Sequence, residues 1–208
     1  MTSGTESLKI GIYGGTFNPI HNGHLHIMEE FYQRLKLDKM ILIPTYLPPH
    51  KTVQDLASPR DRFAMCALAA KTLRFPVEIS EIEINRRERS YTADTLVELR
   101  RGYPNAHFYL LMGEDMFLTI DHWYLPEVIF ATATVCASPR SAMGMNGLRE
   151  YAKKLEEQFK NAHCVIADIP FLDVSSTEIR AGVSRDLPQA VATYIREKSL
   201  YTTPSREE

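Results

Sequence analysis

The sequence predicts an α/β protein, a Rossmann-like doubly wound parallel sheet with a C-terminal helical cap. Three observations carry this. Short apolar runs alternate with stretches of helical periodicity along most of the chain, the pattern of successive βαβ units. Two glycines, Gly14 and Gly15, close the first apolar run just before the first helical stretch, where such folds turn from strand to helix. Residues 175–208 abandon the alternation and read as helical.

Residues 1–7 form a polar leader and 8–13 the first strand. From 23 to 36, Leu25, Met28, Phe31, Tyr32 and Leu35 recur at helical spacing, and residues 40–43 form the next strand. That βαβ unit favours a right-handed crossover. Residues 44–58 hold three prolines and read as a loop, followed by a helix over 59–73 with proline in its first turn. Strands are expected at 77–79 and 82–84, a helix over 92–101, and buried strands at 107–112 and 133–137. The stretch 139–147, with Gly144, Asn146 and Gly147, reads as mobile and leads to a charge-rich amphipathic helix over 148–160. Residues 164–167 close the sheet, and short helices are expected at 175–182 and 187–198. The 208 residues read as one domain, and its ligands are expected beyond the carboxyl ends of the strands.

Hydrophobic residues are 44% and charged residues 24%, enough for a sizeable core. A net charge of −2 gives no global attraction to nucleic acid or to an acidic membrane, so a phosphate ligand must be drawn by local groups. Cys66, Cys136 and Cys164 lie far apart without metal-ligand or CxxC spacing and read as reduced core thiols. With no signal-like start and no apolar run of membrane length, the expected location is cytoplasmic. The sequence leaves open whether the protein is a homo-oligomer.

The most informative segment is GGTFNPIHNGHLH, residues 14–26, between a strand and a long helix. Glycines there allow close approach of backbone to phosphate and supply positive φ, while the helix start offers unpaired N–H groups to an anion. His21 and His24 stand three apart and face one site, where an imidazole N–H donates to phosphate oxygens. His26, on the same helix, reads as structural. A zinc site finds no Cys or carboxylate at ligand spacing, and neither GxGxxG nor GxxxxGK[ST] occurs. A second segment, DVSSTEIRAG, sets Ser175, Ser176 and Thr177 at a helix start with Arg180 one turn later. It forms either an ordinary N-cap with Glu178 or a second anion site with a planar guanidinium fork.

These two segments, in this order, resemble the HxGH and ISSTxIR signatures of the nucleotidylyltransferase superfamily. PTYLPPHK (44–51), SYTADT (90–95), the Gly113-Glu114-Asp115 turn and the Trp123-Tyr124 pair are similar to motifs of its bacterial nicotinate-nucleotide adenylyltransferases. Together the matches span about residues 8 to 200. Val174 stands where isoleucine is usual, Arg140 where an Arg-Pro-Gly turn is frequent, and Leu125 follows the aromatic pair in place of a polar residue. The resemblance implies transfer of the adenylyl group of ATP to nicotinate mononucleotide, with magnesium carried on the ATP phosphates. It implies charge stabilisation by His21, His24 and Arg180, and ATP contacts from Gly14, Gly15, Thr16, Phe17, Gly113, Asp115, Arg140, Ser175, Ser176 and Thr177. Lys51, Thr92, Trp123 and Tyr124 would meet the mononucleotide. A related acceptor, nicotinamide mononucleotide or phosphopantetheine, and a non-catalytic nucleotide sensor are the alternative readings.

Overall fold

The computed structural model describes residues 7–48, 55–140 and 144–201. Six parallel strands, β1 (Lys9–Gly15), β2 (Lys39–Pro44), β3 (Val77–Ile79), β4 (His107–Gly113), β5 (Ala133–Ser138) and β6 (Cys164–Ile166), form one sheet in the order β3-β2-β1-β4-β5-β6. The chain leaves the middle of the sheet toward one edge, then returns to fill the other side. The order therefore reverses between β1 and β4.

Alternation along the strands makes two cores. Ile10, Ile12, Ile41, Ile43, Phe108, Leu110, Met112, Val135 and Ala137 face one side, with helices α4 (Thr92–Gly102), α6 (Pro126–Thr132) and α7 (Gly144–Gln158) packed on it. Tyr13, Met40, Leu42, Leu111 and Cys136 face the other, covered by α1 (Asn22–Leu35), α2 (Pro59–Ala70) and α9 (Gln189–Glu197). Strands buried on both faces read as continuous apolar runs, which is why the sequence exposed them. The C-terminal part contributes α8 (Ser176–Arg180) and α9, which packs on α2, where the Tyr194 hydroxyl donates to Asp61 at 2.9 Å.

Three local expectations are corrected. Residues 82–84 are not a strand but the start of helix α3 (Ile82–Arg86). There Ser80 Oγ receives the Ile82 N–H at 3.3 Å, and Glu83 is turned inward to accept from Thr95 Oγ1 at 2.8 Å. An apolar-polar-apolar triplet fits either element, and this tertiary bond decides it. α7 begins at Gly144, so residues 144–147 are helical rather than loop. The link from β4 to β5, which had no element assigned, holds α5 (Glu114–Phe117), a 3-10 turn at Ile120–His122 and α6.

Cys66 and Cys136 are fully buried, and burial pushes both thiols up. No helix of the described residues is long and apolar enough to cross a membrane. Phe108, fully buried in the β4 core, should cost about 3–5 kcal/mol when replaced by alanine. Denaturant unfolding of Phe108→Ala with an unchanged midpoint would contradict the packing described.

Candidate active site

β1 and β4 stay paired only from Lys9↔His107 to Ile12↔Leu110. Beyond that point each continues three residues beside its outer neighbour, β1 as far as Gly15↔Pro44 on β2 and β4 as far as Gly113↔Ser138 on β5. The strands part, and a cleft of about 480 Å³ opens over their carboxyl ends. Every site residue expected from the sequence and lying among the described residues lines it: Gly14, Gly15, Thr16, Phe17, His21, His24, Thr92, Gly113, Asp115, Trp123, Tyr124, Arg140, Ser175, Ser176, Thr177 and Arg180. Lys51 lies outside the described residues.

The turn after β1 is built differently from the expectation. None of Gly14, Gly15 and Gly23 has positive φ; the left-handed residue is Phe17, at φ 47°. Such a conformation costs about 1–2 kcal/mol in a non-glycine residue, and packing holds it. The Phe17 ring is buried edge-on against Tyr13 at 5.5 Å and His24 at 5.1 Å. Gly23 is required for space instead: a Cβ there would stand 2.8 Å from Val174 Cγ1 and 3.1 Å from His21 Nδ1. A Cβ on Gly14 would meet nothing within 4 Å, so backbone and cleft adjoin directly there.

His21 is the N-cap of α1 and His24 its third residue. The rings lie 3.7 Å apart, tilted by 30°. His24 Nδ1 accepts the His21 backbone N–H at 3.2 Å, which leaves the proton of a neutral His24 on Nε2. Burial, reinforced by His21 and the Arg140 charge, holds the His24 imidazole well below the usual histidine range. Burial also pulls His21 down to about 4, against the raising influence of the Asp186 carboxylate. Both rings are therefore neutral donors near pH 7.

The Thr16–Pro19 loop is gripped from three sides. Arg62, fully buried on α2, donates through Nη1 to the Thr16 carbonyl at 2.8 Å, through Nε to Ala57 O at 3.1 Å and through Nη2 to Tyr46 O at 3.0 Å. Asn18 Oδ1 accepts from the Ala57 N–H at 3.0 Å and the Tyr201 hydroxyl at 2.7 Å, and Asn18 Nδ2 donates to Asp55 O at 3.1 Å. From α8, Arg180 Nη1 donates to Asn18 O at 2.7 Å and Ser176 Oγ to Pro19 O at 2.8 Å. Ser175 forms a reciprocal capping box with Glu178, so the ordinary N-cap reading holds for that residue. Thr177 Oγ1 accepts from Arg180 Nη2 at 3.5 Å.

Across the cleft, Asp115 is exposed in the first turn of α5. Glu114 accepts the Arg140 backbone N–H at 2.6 Å, and the Arg140 guanidinium lies 5.6 Å from the Phe171 ring. Trp123 packs against the core while lining the cleft, its indole N–H reaching Thr119 Oγ1 at 3.3 Å; the exposed Tyr124 ring meets Tyr91 at 4.7 Å. Thr92 is the first residue of α4, whose N-cap, Tyr91, makes no side-chain cap bond. His26 lines the cleft too, held to Pro170 O at 2.8 Å, which fits its structural reading.

Sequence reasoning missed Arg62, Tyr13, Thr45, Glu83, Ser90 and Tyr201. A buried arginine carries no periodicity signal, and Glu83 and Tyr201 are single residues outside the motifs, whereas Tyr13 directly precedes Gly14 and Thr45 and Ser90 lie inside PTYLPPHK and SYTADT, where no role was read for them. Among the described residues, three buried side-chain polar atoms have no hydrogen-bond partner, His21 Nδ1, Thr45 Oγ1 and Glu83 Oε2, and all three residues line this cleft. Leaving such an atom unpaired costs about 1–3 kcal/mol, a reason to expect a ligand there. No three of His, Cys, Asp and Glu among the described residues are grouped to hold a metal ion.

The chain is similar to known proteins in sequence and in fold. The family model described as cytidylyltransferase-like matches residues 12–182. A protein of Clostridium tetani is 36% identical over 93% of this chain and 98% of its own, and one of Neisseria meningitidis serogroup A is 39% identical with the same coverage. Each carries the name "Probable nicotinate-nucleotide adenylyltransferase". The structure of Plasmodium falciparum nicotinic acid mononucleotide adenylyltransferase complexed with NaAD superposes with a TM-score of 0.73 at 18% identity, covering 93% of this chain and 97% of that one.

Two outcomes follow from this geometry. His21 binds its proton more weakly folded than unfolded, so its contribution to stability is complete above about pH 6.5 and is lost as pH falls toward 4, on the order of 3 kcal/mol in all. Thermal melts across that window should slope less in His21→Asn than in the parent. Arg62→Met, which strips three carbonyls of their donor, should lower stability by several kcal/mol, on the order of 3 or more. A melting temperature like the parent's would refute the role given to Arg62.

Proposed function

Because the chain belongs to the cytidylyltransferase-like family and, within it, to the nicotinate-nucleotide adenylyltransferases, we infer that it transfers the adenylyl group of ATP to nicotinate mononucleotide. The products are nicotinate adenine dinucleotide and pyrophosphate, a step of NAD biosynthesis, carried out in the cytoplasm. The observation that carries this reading is the convergence of His21, His24 and Arg180 on one cleft at the point where the strand order reverses.

An oxygen of the mononucleotide phosphate attacks the α-phosphorus, and the bond to the β-phosphate oxygen breaks with its electron pair leaving on pyrophosphate. The attacking oxygen is already anionic near neutral pH, so no general base is needed. Alignment and stabilisation of moving charge do the rest. His24 Nε2–H and His21 donate to phosphate oxygens without bringing a charge of their own. Arg180, bonded to Asn18 of the same loop, supplies a permanent one, with Arg140 at the rim. Gly14, Gly15, Thr16 and Phe17 bring backbone to the triphosphate, the Ser175–Thr177 segment adds the start of α8, and Gly113 and Asp115 receive the ribose. Magnesium carried on the ATP phosphates would neutralise part of their charge.

The mononucleotide lies on the other side of the cleft, its ring on Trp123 beside Tyr124. Thr92 and the uncapped first turn of α4 offer unpaired N–H groups to the ring's carboxylate. That favours the nicotinate over the nicotinamide form.

The direct test is pyrophosphate release from ATP and magnesium with nicotinate mononucleotide, nicotinamide mononucleotide or phosphopantetheine as acceptor. A strong preference for the first is expected; turnover only with another would move the assignment within the family. His24→Ala should cut kcat by about 100-fold or more while leaving ATP affinity near the parent's, because its bond strengthens in the transition state. Trp123→Ala should raise the KM for the mononucleotide by about threefold to tenfold.

A further inference from the structure

The match to the family model ends at residue 182, yet the chain beyond it returns to the phosphate wall at three points. Asp186 accepts from the Asn22 side chain at the start of α1, and the Tyr194 hydroxyl of α9 donates to Asp61, next to Arg62. The third contact is the Tyr201 hydroxyl, which donates to Asn18 Oδ1 at 2.7 Å. The end of α9 is built to deliver it. The Ser199 N–H reaches Arg196 O at 3.2 Å and the Leu200 N–H reaches Ile195 O at 3.0 Å, the paired bonds that turn a chain back at a helix C-terminus. Ser199 takes the left-handed position of that turn at φ 48°, where glycine is usual, and Tyr201 follows at φ 61°. Side chains disfavour both conformations, and the packing of Leu200 and Tyr201 on the core of that face holds them.

Tyr201 does not line the cleft, so any part it has in the reaction passes through a neighbour. That neighbour is the buried Asn18. Its amide is also tied to the Ala57 N–H and to Asp55 O, and its backbone carbonyl takes Arg180 Nη1 at 2.7 Å. One residue thus carries the tyrosine on its side chain and the arginine on its backbone. The other bond of the Arg180 guanidinium, to Thr177 Oγ1, is longer at 3.5 Å, so Asn18 is its firmer anchor. Burial holds the Tyr201 proton on far above the usual tyrosine range, against the pull of the nearby Arg180 and Arg62 charges, and the hydroxyl remains a donor. Resting on the adenylyl-transfer reading above, we propose that Tyr201 is a positioning residue whose hydroxyl, through Asn18, fixes where Arg180 holds its charge against the transferring phosphate. The C-terminal turn then serves the chemistry without lining the cleft.

Tyr201→Phe removes the hydroxyl and keeps the ring. Arg180→Lys keeps a positive charge and loses the guanidinium held on Asn18 O. Initial rates of pyrophosphate release from ATP, magnesium and nicotinate mononucleotide are measured for each variant and for the two combined, together with melting temperatures. Alone, Tyr201→Phe should lower kcat about 3- to 10-fold, the scale of one hydrogen bond, with the KM for the mononucleotide within about twofold of the parent's. Its melting temperature should fall by no more than about 2–4 °C. In the Arg180→Lys background the same change should cost less than about twofold, because the group through which Tyr201 acts is gone. Parental kcat in Tyr201→Phe would overturn the proposal. So would an equal loss in both backgrounds, the mark of a residue that supports the fold without acting on Arg180. If the parent is itself silent with nicotinate mononucleotide, the functional reading fails and this inference with it; an active parent with an indifferent Tyr201→Phe removes only the role of Tyr201.

Discussion

Past Ile12 and Leu110 the two central strands cease to pair, and the site depends on that separation. In a parallel sheet each strand end carries free backbone groups and leads into a loop. Where neighbouring strands send their chains in opposite directions, those loops diverge instead of covering one another. β1 leads into the His21 turn and α1, while β4 leads into Asp115 and the aromatic pair. A cleft with a phosphate wall and an aromatic wall results from topology before any side chain is considered. Each strand keeps its outer neighbour for three further residues, so the opening has rigid edges.

The phosphate wall then needs support, because Thr16–Pro19 is irregular backbone with a left-handed phenylalanine. That support is buried and part-buried hydrogen bonding: one arginine on three carbonyls, one asparagine amide tied to the 55–57 stretch and to Tyr201, and an arginine and a serine from α8 closing from the far side. Among the described residues Arg62 forms no ion pair; carbonyl dipoles hold its charge, with the Glu83 carboxylate near enough to act on it. Such a network holds the loop beside the paired imidazoles, and burial keeps both of them neutral. Burial thus prepares uncharged donors for a highly charged ligand, and the permanent positive charge comes from Arg180 and Arg140 at the sides.

Much of the site was legible in the chain. His21, Gly23 and His24 are contiguous, and the segment around Ser175 to Arg180 is nearly so, because helix starts build an anion site from neighbouring residues. Where reasoning went astray, the deciding contact was remote. Residues 82–84 read as a strand until Glu83 finds Thr95; Phe17 rather than a glycine takes the left-handed turn because Tyr13 and His24 pack on its ring. Arg62 gave no signal, since nothing in PRDRFAMCALAA says which of its arginines turns inward.

The sequence by itself determined the six strands of the sheet and most of the helices, the position of both anion-binding turns and the identity of the family, because periodicity and contiguous motifs are local properties of the chain. Only the tertiary structure decided that α1, α4, α5 and α8 present their residues to one cleft, that the histidines are neutral, and that Arg62, Asn18 and Tyr201 hold the loop beneath them. Those outcomes depend on burial and on bonds between residues up to 183 positions apart, such as Tyr201 to Asn18, and distance along the chain carries no record of them.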